Sequence, residues 1–248
     1  HMANLQLWQQ YAAWKTQCDW VDLTHPLSPE TPHWVGWPPL KVETMASLDN
    51  SLFSAHSYTT VGQYGTHVDS AAHMVRGGRT LDQIPVEEMV MPLCVVDKRD
   101  AVAENPDYVL TVEGILEWEK TWGQIPAGAF VIFQSGWSKR PAAEMDNLDA
   151  EGNRHFPGWQ LETLKFLVEQ RNIGGVGHET SDTEAPITSG KTNYEVEYYI
   201  LSQNKMHLEL LTNVDRCPPV GGLVFCTFPA VSGGTGFPAR SFALCPKE

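Results

Sequence analysis

Hydrophobic and polar positions along the chain switch between two periods, and each switch places an element. Over residues 4–16 (NLQLWQQYAAWKT), Leu5, Trp8, Tyr11 and Ala12 fall on one side of a helix. Residues 19–23 alternate as a short strand, closed by the turn-rich HPLSPETP. Pro32, Trp34, Trp37, Pro38 and Pro39 forbid a long helix across 32–50 and predict an aromatic loop there. The run from 52 to 68, rich in Tyr, Thr and Val, predicts extended backbone.

After the Arg76-Gly77-Gly78-Arg79 turn comes a short acidic helix near 85–89, then a compact apolar strand at 91–97. Residues 111–122 read as a helix capped by Thr111, with Ile115, Leu116 and Trp118 on its apolar side. A buried-type strand follows at 129–134, and a second clear helix at 159–171 spaces Leu161, Leu164, Leu167 and Val168 at helical intervals. Residues 173–176 read as strand, 194–203 as helix, and 206–211 and 223–228 as the final strands. Helices and strands mix without strict βαβ alternation, with no internal repeat and no low-complexity linker, so the pattern predicts one α/β domain. His1-Met2 reads as an expression scar, 3–18 as an N-terminal helix, and 19–248 as the domain itself. The long connections at 32–50, 138–158 and 180–193 are the expected walls of a site.

Composition narrows the function. A hydrophobic share of 42% with 19% charged residues suits a globular core. The formal net charge of −13 opposes nucleic acid, which needs a basic face. Nowhere is there a run of about 20 apolar residues to span a membrane, and the start lacks the apolar core of a signal peptide, so a cytoplasmic protein is expected. Cys18, Cys94, Cys217, Cys226 and Cys245 are scattered and odd in number, which forms neither a disulfide framework nor a zinc knuckle. Cys94 and Cys226 read as buried small hydrophobes.

The chemistry concentrates in Gln63-Tyr-Gly-Thr-His67-Val-Asp69-Ser-Ala-Ala-His73. On an extended backbone His67 and Asp69 point to one face and present an imidazole and a carboxylate together, half of a site for Zn²⁺ or Mn²⁺. Gln63 shares that side by parity if the strand runs unbroken through Gly65, and His73 lies near enough for acid–base work. His-x-Asp alone is common and would read as a turn Asp with a structural His; the Gly-Thr before it and the His after it favour function. Glu209 sits in the apolar run His207-Leu-Glu-Leu-Leu211, where alternation puts His207, Glu209 and Leu211 on one face, and an ionised carboxylate there needs a partner or a metal. Glu197, twelve residues earlier, is as readily a solvated helix position as a ligand. His178 and Glu179 follow the 173–176 strand, where α/β folds place sites. No Gly-x-Ser-x-Gly elbow or phosphate loop is present, and Ser232–Gly236 reads as a turn.

These residues resemble the cyclase family of metal-dependent hydrolases, the group of bacterial kynurenine formamidase and isatin hydrolase, whose hallmark is His-x-Gly-Thr-His-x-Asp-x-x-x-His. Supporting matches are Asp22-Leu-Thr-His25-Pro-Leu, Gly78-Arg-Thr-Leu-Asp82-Gln-Ile-Pro85, Ser135-Gly-Trp137-Ser138, Phe156-Pro-Gly158 and Glu209-Leu-Leu-Thr-Asn213-Val-Asp215, spread over about 20–243. The resemblance implies a swivelling β/β/α fold, a homodimer or homotetramer, and hydrolysis of the C–N bond of a small cyclic amide or aryl formamide by a metal-activated water. By position it makes His67, Asp69 and Glu209 metal ligands and His73 the catalytic histidine. Gln63 stands where the family has its first His, and Glu197 where a two-metal member has another. This oxygen-richer set predicts one divalent ion, Mn²⁺ or Zn²⁺, with Gln63 as a weaker ligand and Glu197, His178 and Glu179 as neighbours or holders of a second ion. Trp34, Trp37, Phe53 and Tyr58 are the candidate aromatic wall for a flat substrate. A lactone or ester hydrolase on the same site, and a degenerate small-molecule binding protein, are the alternatives.

Overall fold

The computed structural model describes residues 4–247, apart from the Thr192 side chain, so His1-Met2, expected to be an expression scar, lies outside the described residues. Helix α1 (Gln6–Gln17) runs into β1 (Cys18–Asp22); a separate hairpin, β2 (Lys41–Ala46) and β3 (Ala55–Thr59), precedes β4 (His67–Asp69). Then come β5 (Val90–Asp97), α2 (Arg99–Glu104), β6 (Val109–Leu110), α3 (Val112–Trp122), β7 (Phe130–Gln134), β8 (Gly158–Trp159) and α4 (Leu161–Arg171). The chain finishes with β9 (Gly175–His178), α5 (Pro186–Thr192), α6 (Glu195–Ser202), β10 (Met206–Glu209), β11 (Gly222–Thr227), β12 (Gly236–Pro238) and β13 (Arg240–Pro246).

One nine-stranded sheet organises the molecule, in the order β1-β13-β11-β5-β7-β9-β10-β4-β12. Its middle, β5-β7-β9-β10, is parallel, and both flanks are antiparallel. The parallel strands are buried on both faces, as such strands must be when each face is covered. Along β7, Val131 and Phe133 enter one core with Ile115, Leu164 and Ile200 of the helices, while Phe130 and Ile132 enter the other. That second core also takes Val21 from β1 and Val68 from β4, strands near opposite ends of the sheet order, so the sheet curls until its ends meet. The Thr24–Leu211 bridge and the Ala239 N–H to Thr66 C=O bond (2.9 Å) stitch that closure.

The curl brings motifs far apart in the sequence together. Asn213 donates to the Asp22 carbonyl (2.8 Å), and Thr24 donates to the Ser241 carbonyl (3.0 Å). Local readings also hold: Thr111 Oγ1 caps α3 by accepting from Gly114 N at 3.2 Å.

Five expectations are corrected. Residues 32–50 are not wholly loop, since β2 forms beyond the prolines. The 52–68 run is broken at 60–66, where Gly65 adopts φ +61°. Residues 223–228 are not the last strand, because β12 and β13 follow and fill the sheet. Leu211 does not share a face with His207 and Glu209: Leu210 turns left-handed at φ 54°, which ends the alternation and sends Leu211 into the core beside Leu208. Finally, the apolar side of α1 is not packed within the chain; Leu7 and Trp8 are 75% and 74% exposed.

Candidate metal centre

Backbone geometry builds this site from β4 and β10. They pair antiparallel with His67 opposite Glu209 and Asp69 opposite His207, which places four polar side chains on one patch of an otherwise apolar sheet. The left-handed Gly65 turns the chain into β4, and the Thr66 hydroxyl locks that entry: it donates to the Leu210 carbonyl (2.6 Å) and accepts from His25 N (2.9 Å). The Gly-Thr pair thus fixes where His67 begins.

His67 Nδ1 lies 2.7 Å from the Gly65 carbonyl, which can only accept, so Nδ1 carries the hydrogen and Nε2 is left as a lone pair. That Nε2 is buried without a hydrogen-bond partner, 3.3 Å from Asp69 Oδ2 and 3.2 Å from Glu209 Oε2. A lone pair facing two carboxylates repels them unless something positive sits between. Burial works against a charge on His67, yet Asp69 and Glu209 outweigh it and raise its pKa well above the ordinary value, so the pocket favours a positive charge at Nε2, a proton or in its place a metal ion. Glu209, although burial pushes the other way, is held down to about 2 by its bond to His178 and by the adjacent His67 ring. Tetrahedral donors about 2.0–2.2 Å from a cation lie roughly 3.3–3.6 Å apart, close to the spacings observed here. The donor set therefore fits a divalent ion held by His67, Asp69 and Glu209, one of the two three-donor clusters found among the described residues.

The second cluster, His178, His207 and Glu209, shares Glu209 and braces the first. The Trp159 indole N–H donates to His178 Nδ1 (3.2 Å), so His178 presents an N–H at Nε2 to Glu209 Oε1 (3.2 Å). Burial lowers the His178 pKa and keeps it neutral. His207, fully buried, reaches Asp69 Oδ2 through Nδ1 (3.2 Å) and Thr183 Oγ1 through Nε2 (2.8 Å), and the same Thr183 hydroxyl lies 3.2 Å from Glu209 Oε1. His207 and Thr183 were given no role from sequence. The signal for His207 was present in the alternation with Glu209; the pairing to Asp69, 138 residues away, was not.

Beside the carboxylates lies a cavity of about 180 Å³ that His67, Glu209, Gln63, His73 and Glu197 all line. Gln63 reaches it despite the broken strand. Its amide nitrogen donates to His73 Nδ1 (3.3 Å) and Thr235 Oγ1 (3.4 Å), which leaves the carbonyl oxygen as its available ligand atom. His73 Nε2 lies 3.6 Å from Glu197 Oε1. Burial first, then the nearby Glu209 and Asp69 charges, push Glu197 well above the usual carboxylate range. Trp34 and Trp37, with ring centroids 5.0 Å apart, form an aromatic wall, and Met74, Ser181, Asp182 and Tyr194 complete the lining. Burial drives the Asp182 pKa up to about 7. A roomier cleft of about 640 Å³, between 22–27 and 227–240, lies apart from both donor clusters.

Three expected site residues are elsewhere. Phe53 and Tyr58 do not line the cavity and are 61% and 64% exposed, because the β2–β3 hairpin stands off the sheet. The Glu179 carboxylate is consumed by a turn: it accepts from Ser135 N and Gly136 N (both 2.7 Å) and from Ser138 Oγ (2.5 Å), which explains the Ser-Gly-Trp-Ser motif structurally.

Compared with known proteins, residues 21–185 match the sequence profile of the Cyclase family. The chain belongs to that family. It is 29% identical to isatin hydrolase of Roseibium aggregatum over 243 residues, 92% of each chain. Kynurenine formamidase of Salinibacter ruber is 28% identical over 232 residues, 89% of this chain and 95% of that one. The solved structure of isatin hydrolase A from Labrenzia aggregata, bound to benzyl benzoate, superposes with a TM-score of 0.91 at 32% identity, covering 98% of this chain and all 100% of that one. This cyclase-family chain thus has the fold of its relatives along nearly its whole length. Its 60–73 and 178–185 segments fall inside the matched region, while β10 and Glu209 lie beyond it.

The 146–155 loop touches the cavity lining through Arg154, 2.9 Å from Asp182, and its own anchoring depends on pH. His155 bridges Asp107 (Nδ1–Oδ2 2.8 Å) and Asp149 (Nε2–Oδ2 3.2 Å), and those bonds raise its pKa. A raised pKa contributes stability that is whole below about 6.5 and lost as pH climbs through the folded value. His155→Gln is therefore expected to lower Tm at pH 6 and to differ little from the parent at pH 9; an equal deficit at both would refute the bridge.

Proposed function

We propose that the protein is a metal-dependent hydrolase of small amides, cyclic amides or aryl formamides, acting with one divalent ion on His67, Asp69 and Glu209 and Gln63 as a weaker fourth ligand. The observation that supports it most is the unpartnered, buried His67 Nε2 between two carboxylates. One imidazole among oxygen donors favours Mn²⁺ over Zn²⁺. Such an ion supplies Lewis acidity toward a carbonyl and lowers the pKa of water from about 15.7 toward about 7. The protein's own contribution is orientation and proton handling. His178, His207 and Thr183 hold the two carboxylates in place through the bonds described above. His73 turns Nε2 toward the cavity, 3.6 Å from Glu197, where it can take a proton from the attacking water and hand it on to the leaving nitrogen. Trp34 and Trp37 offer a flat wall, in keeping with the aromatic substrates named for isatin hydrolase and kynurenine formamidase.

The test is a turnover panel on Mn²⁺- and Zn²⁺-loaded protein: isatin, an aryl formamide and a small lactone. Amide turnover above lactone turnover is expected; lactone turnover alone would replace the amidase reading, and none would overturn the hydrolase reading. His73→Gln is expected to lower kcat about 10²-fold with little change in KM, as loss of one acid–base group does. A drop confined to KM would remove His73 from proton transfer.

We also infer a homo-oligomer. A 12-residue helix with no buried residue and a two-stranded hairpin standing alone are both marginal in water. Each exposes apolar side chains, Trp8 and Tyr11 on the helix and Leu52 and Phe53 at the hairpin, that a second copy would cover. Sedimentation of the protein beside Trp8→Glu checks this, with a lower mass expected for the variant. Among the described residues no helix is long and apolar enough to cross a membrane.

A further inference from the structure

We infer that Gly36 is a positioning residue that makes the cavity selective for substrates with a fused aromatic ring. It acts by leaving room for the Trp34 ring, and the inference rests on the amide-hydrolysis reading above. Trp34, Val35, Gly36 and Trp37 form a four-residue turn, closed by the Trp37 N–H donating to the Trp34 carbonyl at 3.0 Å. Both indoles line the cavity beside His67, His73 and Glu209, while Val35 at the tip is 63% exposed and does not line it. A Cβ added at Gly36 would overlap the benzo edge of Trp34, whose Cζ3, Cε3 and Cη2 are the three atoms nearest to it. The Trp34 ring therefore packs directly on the Gly36 backbone. Trp37, at a centroid distance of 5.0 Å and tilted by 55°, gives the ring a second contact.

The chain around this turn has little freedom to make space. Pro32 precedes it and Pro38 and Pro39 follow, each with φ fixed near about −65°. Thr31 and Leu40, just outside those prolines, are buried, and the Thr31 hydroxyl donates to the Pro26 carbonyl. A methyl at position 36 and the Trp34 ring thus compete for one place, and the free end of the ring is the part that moves. Gly36 is itself exposed, so the fold survives the exchange while the wall does not. The cavity is only about 180 Å³, and displacing one of its two indoles reshapes it. An aromatic ring packed on an aromatic face gains up to about 10-fold in affinity beyond its area burial, a gain that a substrate without such a ring lacks.

The experiment measures kcat/KM on Mn²⁺-loaded protein for isatin and for its monocyclic counterpart, the same five-membered cyclic amide without the benzo ring. Gly36→Ala is expected to lower the ratio of isatin to the monocyclic amide about 10-fold, through KM rather than kcat. Trp34→Ala should lower it equally, and Gly36→Ala added to Trp34→Ala should change it no further, within about 2-fold. Val35→Ala is the control at the same turn and should leave the ratio at the parent value. A Gly36→Ala effect that persists without the Trp34 ring, or an unchanged ratio in Gly36→Ala, overturns the inference. If Gly36→Ala does not fold, Trp34→Ala vacates the place its methyl needs and must restore folding; failure to do so also overturns it. If neither compound is turned over, the hydrolase reading falls separately, and calorimetry with indole, a flat ring with no bond to cleave, decides. Binding weakened about 10-fold by both Gly36→Ala and Trp34→Ala supports the inference. Variants that bind indole as the parent does, or a parent that does not bind it, refute it.

Discussion

His67→Ala is expected to empty the metal centre and to lower kcat/KM at least about 10³-fold, a loss of roughly 4 kcal/mol in transition-state stabilisation. His67 is the one nitrogen donor in its cluster, and its Nδ1 bond to the Gly65 carbonyl commits Nε2 to the ion. Without it, Asp69 and Glu209 face each other across a buried gap with only His207, His178 and Thr183 to separate their charges. Metal content by mass spectrometry on protein purified without chelator checks the first half. About one Mn or Zn per chain in the parent and none in the variant is the expected result. Two ions per chain would show that Gln63 and Glu197 sustain a second site. A parent that takes up no ion even after incubation with Mn²⁺ and Zn²⁺ would remove the metal from the mechanism.

The same cluster shows how far the sequence could be read. His67 and Asp69 were legible because a period of two is local, and strand β4 is short enough that parity holds across it. Helices α3 and α4 and strands β5 and β7 were legible for the same reason: long, strongly periodic apolar runs with a cap or a turn at the end. What escaped is non-local. His207 acquires its role only when β10 pairs with β4 across 138 residues. The assignment of Phe53 and Tyr58 to the cavity failed because aromatic composition says nothing about which way a hairpin stands off its sheet. Strand β13 was missed because its pairing with β1 and β11, not its own sequence, makes it a strand.

Gly158→Ala is expected to destabilise the fold by about 3 kcal/mol, the upper end of overpacking costs, and to lower Tm by roughly 6–12 °C for a chain of this size. A Cβ at Gly158 would overlap the backbone nitrogen of Ala185 and the carbonyl carbon of Glu184, and backbone cannot rotate away as a side-chain tip can. The segment it would displace carries the site. Trp159 N donates to the Thr183 carbonyl (2.9 Å), Thr183 touches His207 and Glu209, and the Trp159 indole fixes His178. A shift of a few tenths of an ångström therefore moves Asp182 and loosens the bracing of Glu209 together, so kcat/KM should fall along with Tm. Gly190→Ala is the control: it sits in helix α5 with nothing within 4 Å of its Cβ position, and alanine favours helix there. Gly190→Ala should leave Tm unchanged or raise it, with activity intact. If Gly158→Ala matches that control in both measurements, the 183–185 segment is not rigidly tied to β8, and the orientation of His178 and Glu209 must come from another source.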